Sequence, residues 1–139
     1  MSKIYSKIQS LAANYEVLSD PDEGAIGTVR LGIFIPKNAA IISSQVCMKS
    51  ILVSAGDLAT ISFGYITIDK NDSNQSDVNV YFPATVISTI NTAGVINELP
   101  VDDQQLQLPY AVEVTMSIGV EALTEGELTV AITYIEYNS

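Results

Sequence analysis

The chain has 139 residues, enough for one domain around a single core, and six Lys plus Arg against sixteen Asp plus Glu give a formal net charge of −10. That balance argues against charge-driven binding to a nucleic-acid backbone or an anionic membrane surface, and favours a basic or neutral partner. Only 16 % of the residues are charged, against roughly 25 % in an average soluble domain. Mean hydropathy is +0.29, and polarity comes largely from 14 Ser, 10 Thr and 8 Asn. Hydroxyls and amides are cheaper to desolvate than ions, so this surface suits broad contact between like copies.

The first 24 residues form a unit of their own by pattern. Ile4, Ile8, Leu11, Tyr15 and Leu18 are spaced 4, 3, 4, 3, the stripe of a short amphipathic helix, and Asp20-Pro21-Asp22 would stop it. Ser2, Ser6, Ser10 and Asn14 weaken helical propensity, so an extended docking arm is the other shape considered. Two heptads are not stable alone, so the segment must pack on its own domain, on sister chains or on a foreign surface. These five residues are the candidate interface, with residues 1–24 as an attachment arm or helix and 25–139 as the folded domain.

From there the period is that of strands. Val29, Leu31, Ile33 and Ile35 alternate up to a corner at Pro36-Lys37-Asn38. Ala39–Val53 reads as a long strand with Ile42, Val46 and Met48 on one face, closed by a turn at Ser54-Ala55-Gly56-Asp57. The next strand places Ala59, Ile61, Phe63 and Tyr65 inward, making a hairpin with its predecessor. Asp69–Asp77 has no apolar residue and reads as a loop; Val78–Ile90 holds one or two strands broken at Pro83; Asn91–Gln107 is turn-rich. In Tyr110–Ala122, Val112, Val114, Met116, Ile118 and Val120 alternate with polar or small residues, the clearest strand in the chain. Glu125-Gly126-Glu127 reads as a hairpin turn into a last strand bearing Leu128, Val130, Ile132 and Tyr134. Many short strands with turns between them predict an all-β antiparallel sandwich or jelly roll, preceded by the N-terminal arm or short helix.

The chemistry of catalysis is missing. The absence of His removes Ser-His and Cys-His nucleophile pairs and His-containing metal sites, and no GxSxG, Walker A, GxGxxG or SxxK motif is present. Cys47, the single cysteine, excludes an internal disulfide and a Cys-based zinc cage, and reads as a buried small hydrophobe. Among sixteen carboxylates no pair is singled out for glycosidase chemistry, and Trp is absent from any sugar platform. Asp69-Lys70-Asn71-Asp72-Ser73-Asn74 offers oxygen ligands at calcium-loop spacing, but lacks the Gly and Glu that such a loop needs. No catalytic residue, metal site or cofactor is therefore assigned. No run reaches the ~18 apolar residues of a membrane span, and no secretory leader is recognised at the start, so synthesis and assembly in the producing cell's cytoplasm are expected.

The stretch Val29-Arg30-Leu31-Gly32-Ile33-Phe34-Ile35-Pro36-Lys37-Asn38-Ala39-Ala40-Ile41-Ile42 resembles the opening strand and corner of a group of small tailed-phage virion proteins. The Gly56–Phe63 and Gly126–Tyr137 segments are similar to that group too, so the resemblance runs over residues 28–137. It implies a capsid-associated auxiliary, decoration or head-fibre subunit without enzymatic activity, localised in the virion. The implied partners are copies of itself, as a homotrimer, and the major capsid protein or other virion proteins, with no nucleic acid and no membrane. The Ile4–Leu18 segment becomes the attachment or trimer-forming element. A tail component, or a carbohydrate- or receptor-binding module, is the alternative.

Overall fold

A computed structural model describes residues 5–17, 24–69, 77–89, 96–99 and 109–138. Its strands are β1 (Tyr5–Glu16), β2 (Gly27–Ile35), β3 (Ala40–Ser54), β4 (Thr60–Thr67), β5 (Asp77–Val86), β6 (Ile96–Leu99), β7 (Val112–Gly119) and β8 (Leu123–Asn138). One sheet has the order β1-β8-β3-β6 and the other β2-β7-β4-β5, with antiparallel pairing throughout. First pairs with last, second with second-last, third with sixth and fourth with fifth. The chain is thus one long hairpin wound on itself, with alternate strand pairs laid into opposite sheets. That is the eight-stranded jelly roll, and the all-β sandwich expectation holds.

The core lies between the sheets. Phe63 and Ile61 of β4 and Met116 and Val114 of β7 face Val46 and Met48 of β3 and Leu128 and Ile132 of β8, each almost wholly buried. Burial of each such side chain contributes about 1.5–3 kcal/mol, so the inward faces of the four central strands hold the sandwich together.

Two expected hairpins are not formed. The turn at Ser54–Asp57 is present, with the Asp57 N–H donating to the Ser54 carbonyl at 3.3 Å, but it carries the chain from one sheet to the other. Likewise β7 and β8 lie in different sheets, and the chain turns between them at Val120–Ala122. Glu125-Gly126-Glu127 sits inside β8, where the β3–β8 register shifts. Gly126 has φ 124°, and a Cβ there would lie 2.7 Å from the Ile51 carbonyl oxygen and the Leu52 Cα. Its glycine serves close strand approach at a bulge rather than a tight turn.

Bulges also decide which side chains face in. Ile42, expected beside Val46 and Met48, is 40 % exposed, because the register slips between Ile41 and Ser43 and turns Ile41 inward instead. In β2 the corresponding slip lies between Arg30 and Phe34, around Gly32 at φ 75°.

The N-terminal segment is extended, not helical: β1 pairs with β8 from Tyr5↔Asn138 to Glu16↔Glu127. In a strand a spacing of 4 keeps two residues on one face, but each spacing of 3 moves to the other, so the stripe is split. Leu11, Ala13, Tyr15 and Val17 consequently turn toward the core, while Ile8, Ser10, Ala12 and Asn14 face out. Pro83, expected to break a strand, lies within the edge strand β5, a position that tolerates a missing N–H. The 96–99 strand was hidden in the turn-rich stretch.

Candidate functional site

Among the described residues, Glu113, Glu121 and Glu127 have well-defined partners, and each holds the scaffold. Glu113 of β7, 6 % exposed, accepts from Arg30 Nε at 2.8 Å and from the Gly32 N–H at 3.0 Å, fastening the β2 bulge to β7. Glu127 of β8 accepts from Asn14 Nδ2 at 2.7 Å and pairs with Lys49 Nζ at 3.3 Å, bridging β1, β8 and β3. Its carboxyl is held below the usual range by the Asn14 amide first and Lys49 second. Glu121, in the β7–β8 turn, accepts from the Ser54 hydroxyl at 2.9 Å and from the Gly56 and Leu58 N–H groups at 3.0 and 2.9 Å. The Leu58 N–H leads the causes that lower its pKa, followed by the Ser54 hydroxyl. Glu16 stands opposite Glu127 in the β1–β8 register, and the Glu127 carboxylate is taken up by Asn14 and Lys49.

Among the described residues no three His, Cys, Asp or Glu converge to hold a metal ion, and no helix is long and apolar enough to cross a membrane. Of the acidic loop considered for calcium, residues 70–74 lie outside the described residues. Cys47 is a free thiol, half-buried rather than fully buried, because it lies on the outer face of β3.

Surfaces remain. The outer face of the first sheet carries Ser10, Ala12 and Asn14 of β1, Thr129, Ala131 and Thr133 of β8, and Ser43, Gln45 and Cys47 of β3 in register. Ser10 and Thr133 share a hydroxyl hydrogen bond at 2.9 Å, and Thr129 Oγ1 donates to Asn14 Oδ1 at 3.1 Å. This is a nearly uncharged field of small side chains, bounded on one end by Glu127 and Lys49 and on the other by Ile8 opposite Ile135. Beside it, β1 and β2 are the edge strands on one side of the sandwich and offer backbone groups to another strand.

The five residues of the N-terminal stripe do not share one surface. Ile8 is 65 % exposed, Leu11 packs against the core, and Tyr15 is in it; Ile4 and Leu18 lie outside the described residues. Sequence reasoning missed a different apolar set, Ile26, Leu58 and Val120, exposed by 60, 57 and 67 %. Each sits on a connection at one end of the sandwich, and alternation alone assigns Val120 to a buried face. The signal that could have found it is its place at the end of its strand, directly before the polar Glu121.

No protein-family model matches the chain, and no curated protein does. Its fold is similar to solved chains of three phage capsids. A chain of the capsid of Ralstonia phage GP4 matches at TM-score 0.60 and 18 % identity, over 94 % of this chain and 86 % of that one. A chain of the acid-stable capsid of Helicobacter pylori bacteriophage KHP30 matches at TM-score 0.58 and 12 % identity, over 99 % of both. A chain of the cyanophage Pam1 capsid asymmetric unit matches at TM-score 0.53 and 16 % identity, over 98 % of this chain and 85 % of that one. At these identities the likeness is one of fold.

Proposed function

We propose that this chain is a non-enzymatic structural protein of a phage virion, an auxiliary or decoration subunit attached to the capsid shell. The observation that carries the reading is the near end-to-end fold match with chains of three phage capsids, which covers most of both partners in every case. The match spans 85 to 99 % of each of those chains, which supports the small-subunit reading. Scaffold-bound carboxylates and a filled core agree with a role in adhesion.

In this reading the protein works by area. Copies meet, as a homotrimer, through the Ser/Thr-rich face of the first sheet and the free edge of β1, where Ile8 supplies an exposed apolar contact. Interfaces of this kind bury roughly 1,600 Å² in total, and repetition by symmetry multiplies their effect. Neighbours are the major capsid protein or other virion proteins, and neither nucleic acid nor membrane is contacted. Purified particles of the encoding phage, separated on a denaturing gel and identified by mass spectrometry, should contain the protein in a fixed ratio to the main shell protein. Its absence from intact particles would overturn the proposal.

A further inference from the structure

The antiparallel registers bring the β3–β4 turn (55–59), the β7–β8 turn (120–122) and residues 24–26 before β2 to the same end of the sandwich. That end is tied together tightly. Besides the Glu121 contacts, the Leu123 N–H donates to the Gly24 carbonyl at 2.7 Å and the Ile87 N–H to the Ala59 carbonyl at 3.0 Å. On this fastened platform Ile26, Leu58 and Val120 stand exposed. Beside them a cleft of about 300 Å³ is lined by Ile51, Leu52, Val53, Asp57, Ile87 and Ser88.

Val120 adds an independent observation. It has φ 69°, a left-handed conformation that a β-branched residue adopts only under strain, and its apolar side chain is 67 % exposed. Glycine or asparagine would suit that backbone better, and a polar residue would suit that exposure better. The backbone strain is offset in part by a tight turn centred on Val120, in which the Glu121 N–H donates to the Gly119 carbonyl at 2.8 Å; the exposed side chain lies outside that turn's hydrogen bonding.

The charges there select the occupant. Asp57, Glu121 and Glu125 border the apolar residues; Arg30 and Lys49 lie further along β2 and β3 and are paired with Glu113 and Glu127, and Lys37 sits in the β2–β3 corner at the opposite end. Two copies meeting through this end would oppose like charges on chains of net charge −10.

We propose that this end of the sandwich docks onto the virion shell, at an apolar patch of a shell subunit bordered by Lys or Arg, with Val120 and Leu58 as the anchors. The proposal rests on the virion reading above. Rigid apolar anchors with a charged rim are the arrangement in which a few residues dominate binding.

The test uses shells of the encoding phage prepared from a strain lacking this gene, incubated with the purified full chain and sedimented. Wild-type protein should rebind. Val120→Asp and Leu58→Asp should each weaken binding by about tenfold or more, while Phe34→Asp, at the far end of β2, should bind like wild type. Val120→Gly should raise the melting temperature yet weaken shell binding, opposite signs that a purely structural role for Val120 would not produce. Failure of the wild type to rebind would overturn the virion reading itself. Wild-type rebinding with undiminished binding by Val120→Asp and Leu58→Asp would overturn only the docking end. Variants that bind shells normally but change the protein's mass in solution would assign this end to a second copy, against the proposal.

Discussion

The Glu121 carboxylate accepts the Leu58 N–H at 2.9 Å, joining the turn after β7 to the turn after β3 across two sheets. The same oxygen takes the Ser54 hydroxyl and the Gly56 N–H. Removing the side chain leaves three donors without their acceptor. Glu121→Ala should lower the melting temperature and accelerate hydrogen exchange at the Leu58 amide; unchanged exchange there would show that the turn holds itself.

The same contact sets a pH dependence. Glu121 and Glu127 both have folded-state pKa values lowered from the ordinary 4.5, so the stability they contribute is fully present above that value. It is lost as pH falls through the depressed folded pKa values. Thermal melts from pH 7 downward should therefore show wild type losing stability below about pH 4.5, with a smaller loss in the Glu121→Gln, Glu127→Gln double variant. Parallel curves for the two proteins would contradict this assignment.

Ser44 and Thr115 are 1 % and 0 % exposed, and their hydroxyl oxygens have no hydrogen-bond partner among the described residues. A buried hydroxyl without a partner costs about 1–3 kcal/mol, so Ser44→Ala and Thr115→Val should each stabilise the fold by about 1 kcal/mol in urea unfolding. Destabilisation by either would reveal a bound water or a packing role for the hydroxyl.

Gly126 admits no side chain. With φ 124° and only 2.7 Å between the place a Cβ would take and backbone atoms of Ile51 and Leu52, Gly126→Ala should cost about 2 kcal/mol or more, measured as a shift in the denaturation midpoint. A loss below half that size would mean that β3 and β8 separate there at little cost.

Strand identity was legible where burial is one-sided or complete, and strand partners were not. Alternation in Val112–Ile118 and Ala59–Tyr65 locates β7 and β4, because period two is a local property. Which sheet a strand joins depends on how the wound hairpin crosses the core, and nothing local marks Gly56 as a crossing or Gly126 as a bulge. β1 was open to misreading because Ile4, Ile8, Leu11, Tyr15 and Leu18 fit a helix while Leu11, Ala13, Tyr15 and Val17 fit a strand. Pairing with β8 along its whole length decides between them. The low-charge Ser/Thr face was readable from composition, whereas the exposure of Leu58 and Val120 emerges only when the turns are brought to one end.

The role of β1 can be tested by deleting residues 1–17. Tyr15 and Val17 belong to the core, and β8 loses the partner that runs from Tyr5 to Glu16. The truncated chain should be strongly destabilised or insoluble; a truncated chain that melts like wild type would mean that the segment is a separable arm.

The virion role itself is decided by a cryo-electron-microscopy reconstruction of the intact particle of the encoding phage. An eight-stranded sandwich should be seen seated on the shell, with the end that carries Leu58 and Val120 against it. A well-resolved shell with no density for this fold would refute that role.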